Sequence, residues 1–229
     1  AMEKGLIDDK DTHGVKFSWG DYSSYIQAVK YIIEQPTDFY KSIAKGVDYA
    51  SKIYGGEDFA LSFGGNEMPG YHTGPAAHIG FMTGARHSHL DNAGYSIDQK
   101  VLAEKTLTPK ELSDMLLKEE QWRQILSSLV VCFFARGIYT PEIVRDALRI
   151  TGFELSCDEI ERIGIRILAE KNRFKLREGF KPEELRIPKR IFETSTPLGM
   201  LDENFIKETV KHYMNSVMLE PSPVIPDIV

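Results

Sequence analysis

Apolar positions recur at helical spacing over most of the chain. From Tyr22 they fall at Tyr25, Ile26, Val29 and Ile33, with Asp21 in position to cap and Pro36 just beyond, so the pattern predicts a helix here. Thr37 opens a second helical stretch, whose stripe of Phe39, Tyr40, Ile43, Ala44, Val47 and Tyr54 stops at Gly55-Gly56. Phe59 to Phe63 alternates as a short strand does. Residues 64–98 then hold seven glycines, two prolines and four of the six histidines, which predicts loop broken by a short helix near 76–83. After Thr108-Pro109, Leu112, Met115, Leu116, Trp122, Ile125, Leu126, Leu129, Val130, Phe133 and Phe134 predict one long, mostly buried helix that ends at Gly137.

Thr140-Pro141-Glu142 launches another helix, to Gly152, and Ser156 with Glu159 forms a capping box ahead of the stripe Ile160, Ile163, Ile167 and Leu168. Residues 172–201 read as irregular, Asp202 caps a last helix to about Met218, and the proline-rich tail reads as extended. The fold class expected is all-α, an irregular helical arrangement in two lobes. The composition shift at 98–108 suggests a boundary, giving a lobe of residues 1–104 with the histidine-rich loop and a lobe of residues 105–229.

Composition narrows the function. With 42% hydrophobic residues the chain can bury a core, and a net charge of -6 with acids and bases interspersed offers no basic stripe for nucleic acid or anionic lipid. No run of 18 apolar residues occurs, and a charged N-terminus does not resemble a signal peptide, so a cytoplasmic location is expected. The two cysteines, Cys132 and Cys157, come without a CxxC pair, which suits a reducing compartment.

The chemistry concentrates in Gly84-Ala-Arg-His-Ser-His-Leu-Asp-Asn92. Imidazoles titrate near neutral pH and suit proton transfer, and Arg86 can hold an anion. His87 and His89 lack a second Cys/His pair at zinc spacing, so a metal-dependent hydrolase is the weaker reading. Surface or structural roles for His72, His78, His87 and His89 are the plain alternative. Glu67, after the short strand, is either a base or a structural partner of Arg86. Cys132 is either a small buried hydrophobe or a thiolate ligand for iron, which a dry aromatic wall would shield.

In order along the chain, four stretches resemble the C-terminal part of the tungsten-containing aldehyde ferredoxin oxidoreductase family. They are MEKGLIDDKDTHGVKFSWGD, NEMPGYHTGPAAHIGFMTGARHSHL, the segment that ends in Cys132, and KNRFKLREGFKPEELRIPKRIFETSTPLG. The resemblance implies an enzyme that oxidises an aldehyde to a carboxylic acid at a tungsten or molybdenum bis-pterin centre beside a 4Fe-4S cluster, with ferredoxin or an electron-transfer subunit as acceptor. It makes His89 the proton-transfer residue, places Glu67 and Arg86 in the same region, aligns Ser127 and Val131 with the pterin-binding Asp-x-x-Gly-Leu-Cys motif, and makes Cys132 the last cluster ligand. Two departures stand out: Ser127 replaces the motif's aspartate and Val130 its glycine, and Glu67-Met-Pro-Gly-Tyr-His-Thr-Gly lacks the Asp and Arg of the family's counterpart. The first three cluster cysteines and the first pterin motif are expected on an N-terminal portion, in the same gene or a separate subunit. This chain alone is expected to hold no cofactor. A helical scaffold that kept the fold without the chemistry is the rival reading.

Overall fold

The computed structural model describes residues 1–218, so the proline-rich tail lies outside the described residues. Helices dominate, as expected; the described strands are one two-stranded hairpin, β1 (Ser62–Phe63) with β2 (Asn66–Glu67), antiparallel with Phe63 opposite Asn66. The strand expected over 59–63 is therefore reduced to its last two residues, ahead of a tight Gly64-Gly65 turn in which both glycines have positive φ.

Contacts gather the chain into two units. One is Ala1–Gly70 with Arg186–Thr194, the other Tyr71–Leu185 with the segment from Ser195, so the composition shift at 98–108 lies inside the second unit.

In the first unit, α1 (Tyr22–Glu34) packs on α2 (Asp38–Ile43), and α3 (Val47–Tyr54) follows. Asp21 caps α1 by accepting from the Ser23 amide. The expected second helix is broken at Gly46, whose φ of 103° no other residue adopts readily. Its missing Cβ leaves room for Glu67, which accepts a hydrogen bond from the Val47 amide at 2.9 Å. The core joins Ile7, Ala28, Phe39 and Tyr40, with Tyr31 and Ile32 packed against it. That choice leaves the apolar stripe that predicted the helix facing outward: Tyr22, Ile26, Val29 and Ile33 are exposed, Ile33 at 79%. α1 is apolar on two sides, and packing took the Ala28, Tyr31 and Ile32 side.

The returning segment is held by Arg186, which donates to Ser62 Oγ at 2.6 Å and Ala60 O at 3.0 Å, and also to the Glu57 carbonyl.

The second unit holds α4 (Pro75–Thr83), α5 (His89–Asn92), α6 (Gly94–Ile97), α7 (Pro109–Ser128), α8 (Pro141–Ile150), α9 (Cys157–Arg177) and α10 (Glu203–Met218). The Ser156/Glu159 capping box and the Thr140 cap ahead of Pro141 start α9 and α8 as expected, and α7 starts on a further capping box, Thr108/Glu111. α7 packs on α9 and α10. On α9 the buried stripe is Ile160, Gly164 and Leu168, and Ile163 is exposed; a Cβ on Gly164 would meet Gln121 O at 2.4 Å, so α7 and α9 approach backbone to backbone. α9 also runs on to Arg177, past the residue 172 where irregular chain was expected.

α7 stops earlier than its apolar pattern predicts. The Val130 amide donates to Ser127 O at 3.1 Å and the Val131 amide to Leu126 O at 3.2 Å, the two bonds of a Schellman closure. Val130 carries the left-handed φ of 57° that such a closure requires. A β-branched residue there is strained, by about 1–2 kcal/mol. Beyond it, Val130 is 91% and Phe134 97% exposed, which corrects the expectation that they extend a buried face. Val130→Gly is expected to stabilise the chain by about 1 kcal/mol, read as a higher Tm; an unchanged or lower Tm would contradict the strain.

Candidate functional site

The histidine-rich loop is built on α4, whose residues from Ala76 to Thr83 are all buried. Asp98 closes the N-terminus of α4 from the far end of the loop, accepting from the Ala76 and Ala77 amides at 2.9 Å each and from Thr73 Oγ1 at 2.8 Å. Burial raises its pKa, and the three hydrogen bonds pull the other way. On the next turn, His78 is buried and its Nε2 lies 2.9 Å from His72 Nδ1; desolvation, then the neighbouring imidazole, lowers it from 6.5 to about 3.

Two carboxylates shape the loop. Asp91 accepts from the Arg86 amide at 2.8 Å, the Ser88 amide at 3.1 Å and Arg86 Nε at 2.7 Å, and completes a capping box with Ser88 at the start of α5. Glu120, fully buried on α7, accepts from the Ala85 amide at 2.8 Å, Asn92 Nδ2 at 3.0 Å and Tyr213 Oη at 2.6 Å. Burial, and secondly the charge of Asp91, pushes Glu120 up to about 7. The same burial, with Glu120 beside it, drives the Tyr213 hydroxyl well above 10. His87 has φ 55° and its Nδ1 lies 2.9 Å from Phe81 O, so Nδ1 carries the proton and Nε2 accepts from Lys175 Nζ at 3.0 Å. Burial chiefly, then Lys175, lowers its pKa.

His89 is the first residue of α5 and is half-buried. Its ring lies 5.2 Å from that of Tyr71 and 6.3 Å from that of Tyr95, and the two tyrosines stack at 4.5 Å. Burial lowers its pKa; the carboxylate of Asp91 opposes this and Arg123 adds to it. The imidazole is therefore neutral at pH 7, with one nitrogen able to take a proton.

Arg123 connects this loop to the cysteine segment. Its Nη1 donates to Leu90 O at 2.7 Å, and its guanidinium lies 5.1 Å over the Phe133 ring, next to Cys132. Cys132 itself is an exposed free thiol in the turn after α7, ahead of the 3-10 turn Phe133–Ala135. It neither ends a helix nor sits as a buried hydrophobe, because the Schellman closure ends α7 at Ser128.

Of the residues singled out from the sequence, His89, Arg86 and the Cys132 segment all belong to the second unit. Ser127 is exposed in the last turn of α7, and Val131 is partly buried just after it. Arg86 pairs with Asp91. Glu67 belongs to the first unit, where its carboxylate caps α3. The sequence reading missed Asp91, Glu120, Arg123 and Tyr213. A signal was present on α7: Leu112, Leu116 and Glu120 follow one another at four-residue spacing, which places a carboxylate on the buried stripe.

Among the described residues no three His, Cys, Asp or Glu side chains gather as metal ligands. Cys157 Sγ is 4.0 Å from Arg145 Nη1, in the first turn of α9. A four-iron cluster takes four thiolates, so this donor set does not fit a whole cluster; Cys132 is suited to supply one ligand of it. No described helix is long and apolar enough to cross a membrane.

The chain is helical, and buried carboxylates and a buried arginine shape the glycine-rich loop that carries a half-buried imidazole. The chain belongs to the aldehyde ferredoxin oxidoreductase family: the family model described as aldehyde ferredoxin oxidoreductase, domains 2 & 3, matches residues 1–217. A comparison with curated proteins gives no match.

Proposed function

We propose that the chain forms the C-terminal helical part of a tungsten or molybdenum pterin oxidoreductase that converts an aldehyde to a carboxylic acid. In the complete enzyme a bis-pterin metal centre and a 4Fe-4S cluster would take up the two electrons and pass them to ferredoxin or an electron-transfer subunit. An N-terminal portion would supply the remaining cluster ligands and the pterin cradle. Within this chain, His89 accepts one of the two protons released as the hydrated aldehyde is oxidised to the acid, and Arg86, fixed by Asp91, lines the approach. Cys132 offers its exposed thiol as a cluster ligand, and Ser127 and Val131 lie along the same turn. A catalytic role for Glu67 rests on the resemblance alone, since its carboxylate caps α3.

The observation that carries the reading is the setting of His89. On the loop Thr83-Gly-Ala-Arg-His-Ser-His-Leu90 it lies half-buried against two tyrosines, where burial lowers its pKa, and the loop itself is shaped by a carboxylate scaffold that a plain surface loop would not need. The exposed apolar side of α1 is in keeping with a further portion that covers it. The rival reading, a scaffold without cofactors, draws on Ser127 and on the strained Val130 at the glycine position.

Co-expression with the polypeptide carrying the N-terminal portion tests the two. The expected product copurifies, is brown from its cluster and oxidises aldehydes; a colourless, metal-free complex would favour the scaffold. In the brown complex, His89→Ala is expected to keep the colour and lower kcat by about 10²- to 10⁴-fold. Unchanged turnover would remove the proton-transfer role.

A further inference from the structure

We propose that Arg123 is the positioning residue of this site: one buried guanidinium sets where the His89 helix stands against the turn that carries Cys132. What the two segments do rests on the function proposed above; how they are held does not.

Arg123 is engaged from three directions. Nε donates to Glu119 Oε1, one turn back on α7, at 2.8 Å and so fixes the plane of the fork. Nη1 donates to the carbonyl of Leu90, the residue after His89, at 2.7 Å. The flat face lies over the ring of Phe133, the residue after Cys132, at 5.1 Å. The two segments are more than 40 residues apart in sequence, and Arg123 touches both.

Packing alone does not account for this side chain. It is 2% exposed, cannot shed its proton, and has as its ion-pair partner a Glu119 that is 38% exposed. Among the described residues its buried Nη2 has no hydrogen-bond partner, a state that disfavours folding. An apolar side chain of the same volume would fill the space without that cost. What only a guanidinium supplies is a rigid fork with a stacking face, able to relate a carbonyl on one segment to a ring on another. Lysine, a point charge on a flexible stem, has no such plane.

The test uses the 229-residue chain without cofactors, in a Cys157→Ser background, with a nitroxide label on Cys132. In the parent, the label is expected to broaden the imidazole NMR lines of His89. Arg123→Met and Arg123→Lys are expected to lose that broadening while far-UV circular dichroism and cooperative unfolding persist. Arg123→Met is also expected to raise the His89 titration midpoint, since the opposing positive charge is gone. Arg123→Lys keeps the charge and loses the fork, so it reports on geometry alone if the Met variant does not fold. Broadening of His89 that survives in Arg123→Lys, or is absent in the parent, would overturn the proposal. A colourless, inactive complex in the co-expression experiment would sink the oxidoreductase reading and leave this measurement standing.

Discussion

Glu120→Gln is expected to gain on the parent by about 3 kcal/mol between pH 4.5 and pH 7. In the unfolded chain this carboxyl ionises near its ordinary value of 4.5, and in the folded chain burial holds it protonated up to about 7. Over that interval the unfolded state binds fewer protons, so raising the pH favours unfolding. Glutamine cannot ionise and escapes the loss. It still accepts from the Ala85 amide, but its NH₂ faces Tyr213 and Asn92 where a carboxylate oxygen stood, which lowers stability by an amount independent of pH. The pH dependence of the difference is therefore the quantity to read.

His78 runs the other way. Held at about 3 against 6.5 in the unfolded chain, it makes the fold lose stability as acid is added below pH 6.5. In the parent the two slopes oppose each other between pH 4.5 and 6.5; in Glu120→Gln the histidine slope is uncovered. Denaturant unfolding of both proteins across this range measures it. A difference that stays constant with pH would mean that Glu120 is ionised in the folded chain like any surface carboxylate.

Gly94→Ala is expected to cost about 3 kcal/mol or more. A Cβ at this position would lie 2.0 Å from Ala76 O and 2.5 Å from Ala76 C, backbone atoms of the first turn of α4 that cannot rotate away. Relief requires α6 to lift from α4. Asp98 follows directly on α6 and holds the Ala76 and Ala77 amides, so lifting α6 also strains that cap. Tyr95, the next residue, would move with it and loosen its stack on Tyr71 beside His89. Thermal unfolding should show a large drop in Tm for Gly94→Ala and almost none for Gly137→Ala, whose Cβ would meet nothing within 4 Å. Equal melting of the two variants would show that α4 and α6 are not in backbone contact.

What the sequence determined by itself is local. Ser156 and Thr108 start helices because their hydroxyls accept from the third residue onward while Glu159 and Glu111 reach back, bonds that need no distant partner. Gly152 and Pro36 mark ends for equally local reasons. Arg86, His87 and His89 lie within four residues, so the cluster could be singled out from the sequence alone.

Tertiary structure decided whatever depends on which side of a helix faces inward and on what crosses it. α1 has two apolar sides, and only the packing of Phe39 and Tyr40 selects Ala28, Tyr31 and Ile32 over Ile26, Val29 and Ile33. Arg123 resembles an ordinary surface charge of a long helix, and Glu120, though in line with Leu112 and Leu116, has its partners on other elements; enclosure by the segments around α4, α5 and α10 turns one into a clamp and the other into a buried acid. Valine at 130 argues for continued helix or strand, yet the chain closes there through bonds to Ser127 and Leu126. Hydrogen bonds between sequence neighbours can be read along a chain, whereas burial is a property of everything that surrounds a residue, and so it exists only once the chain has folded.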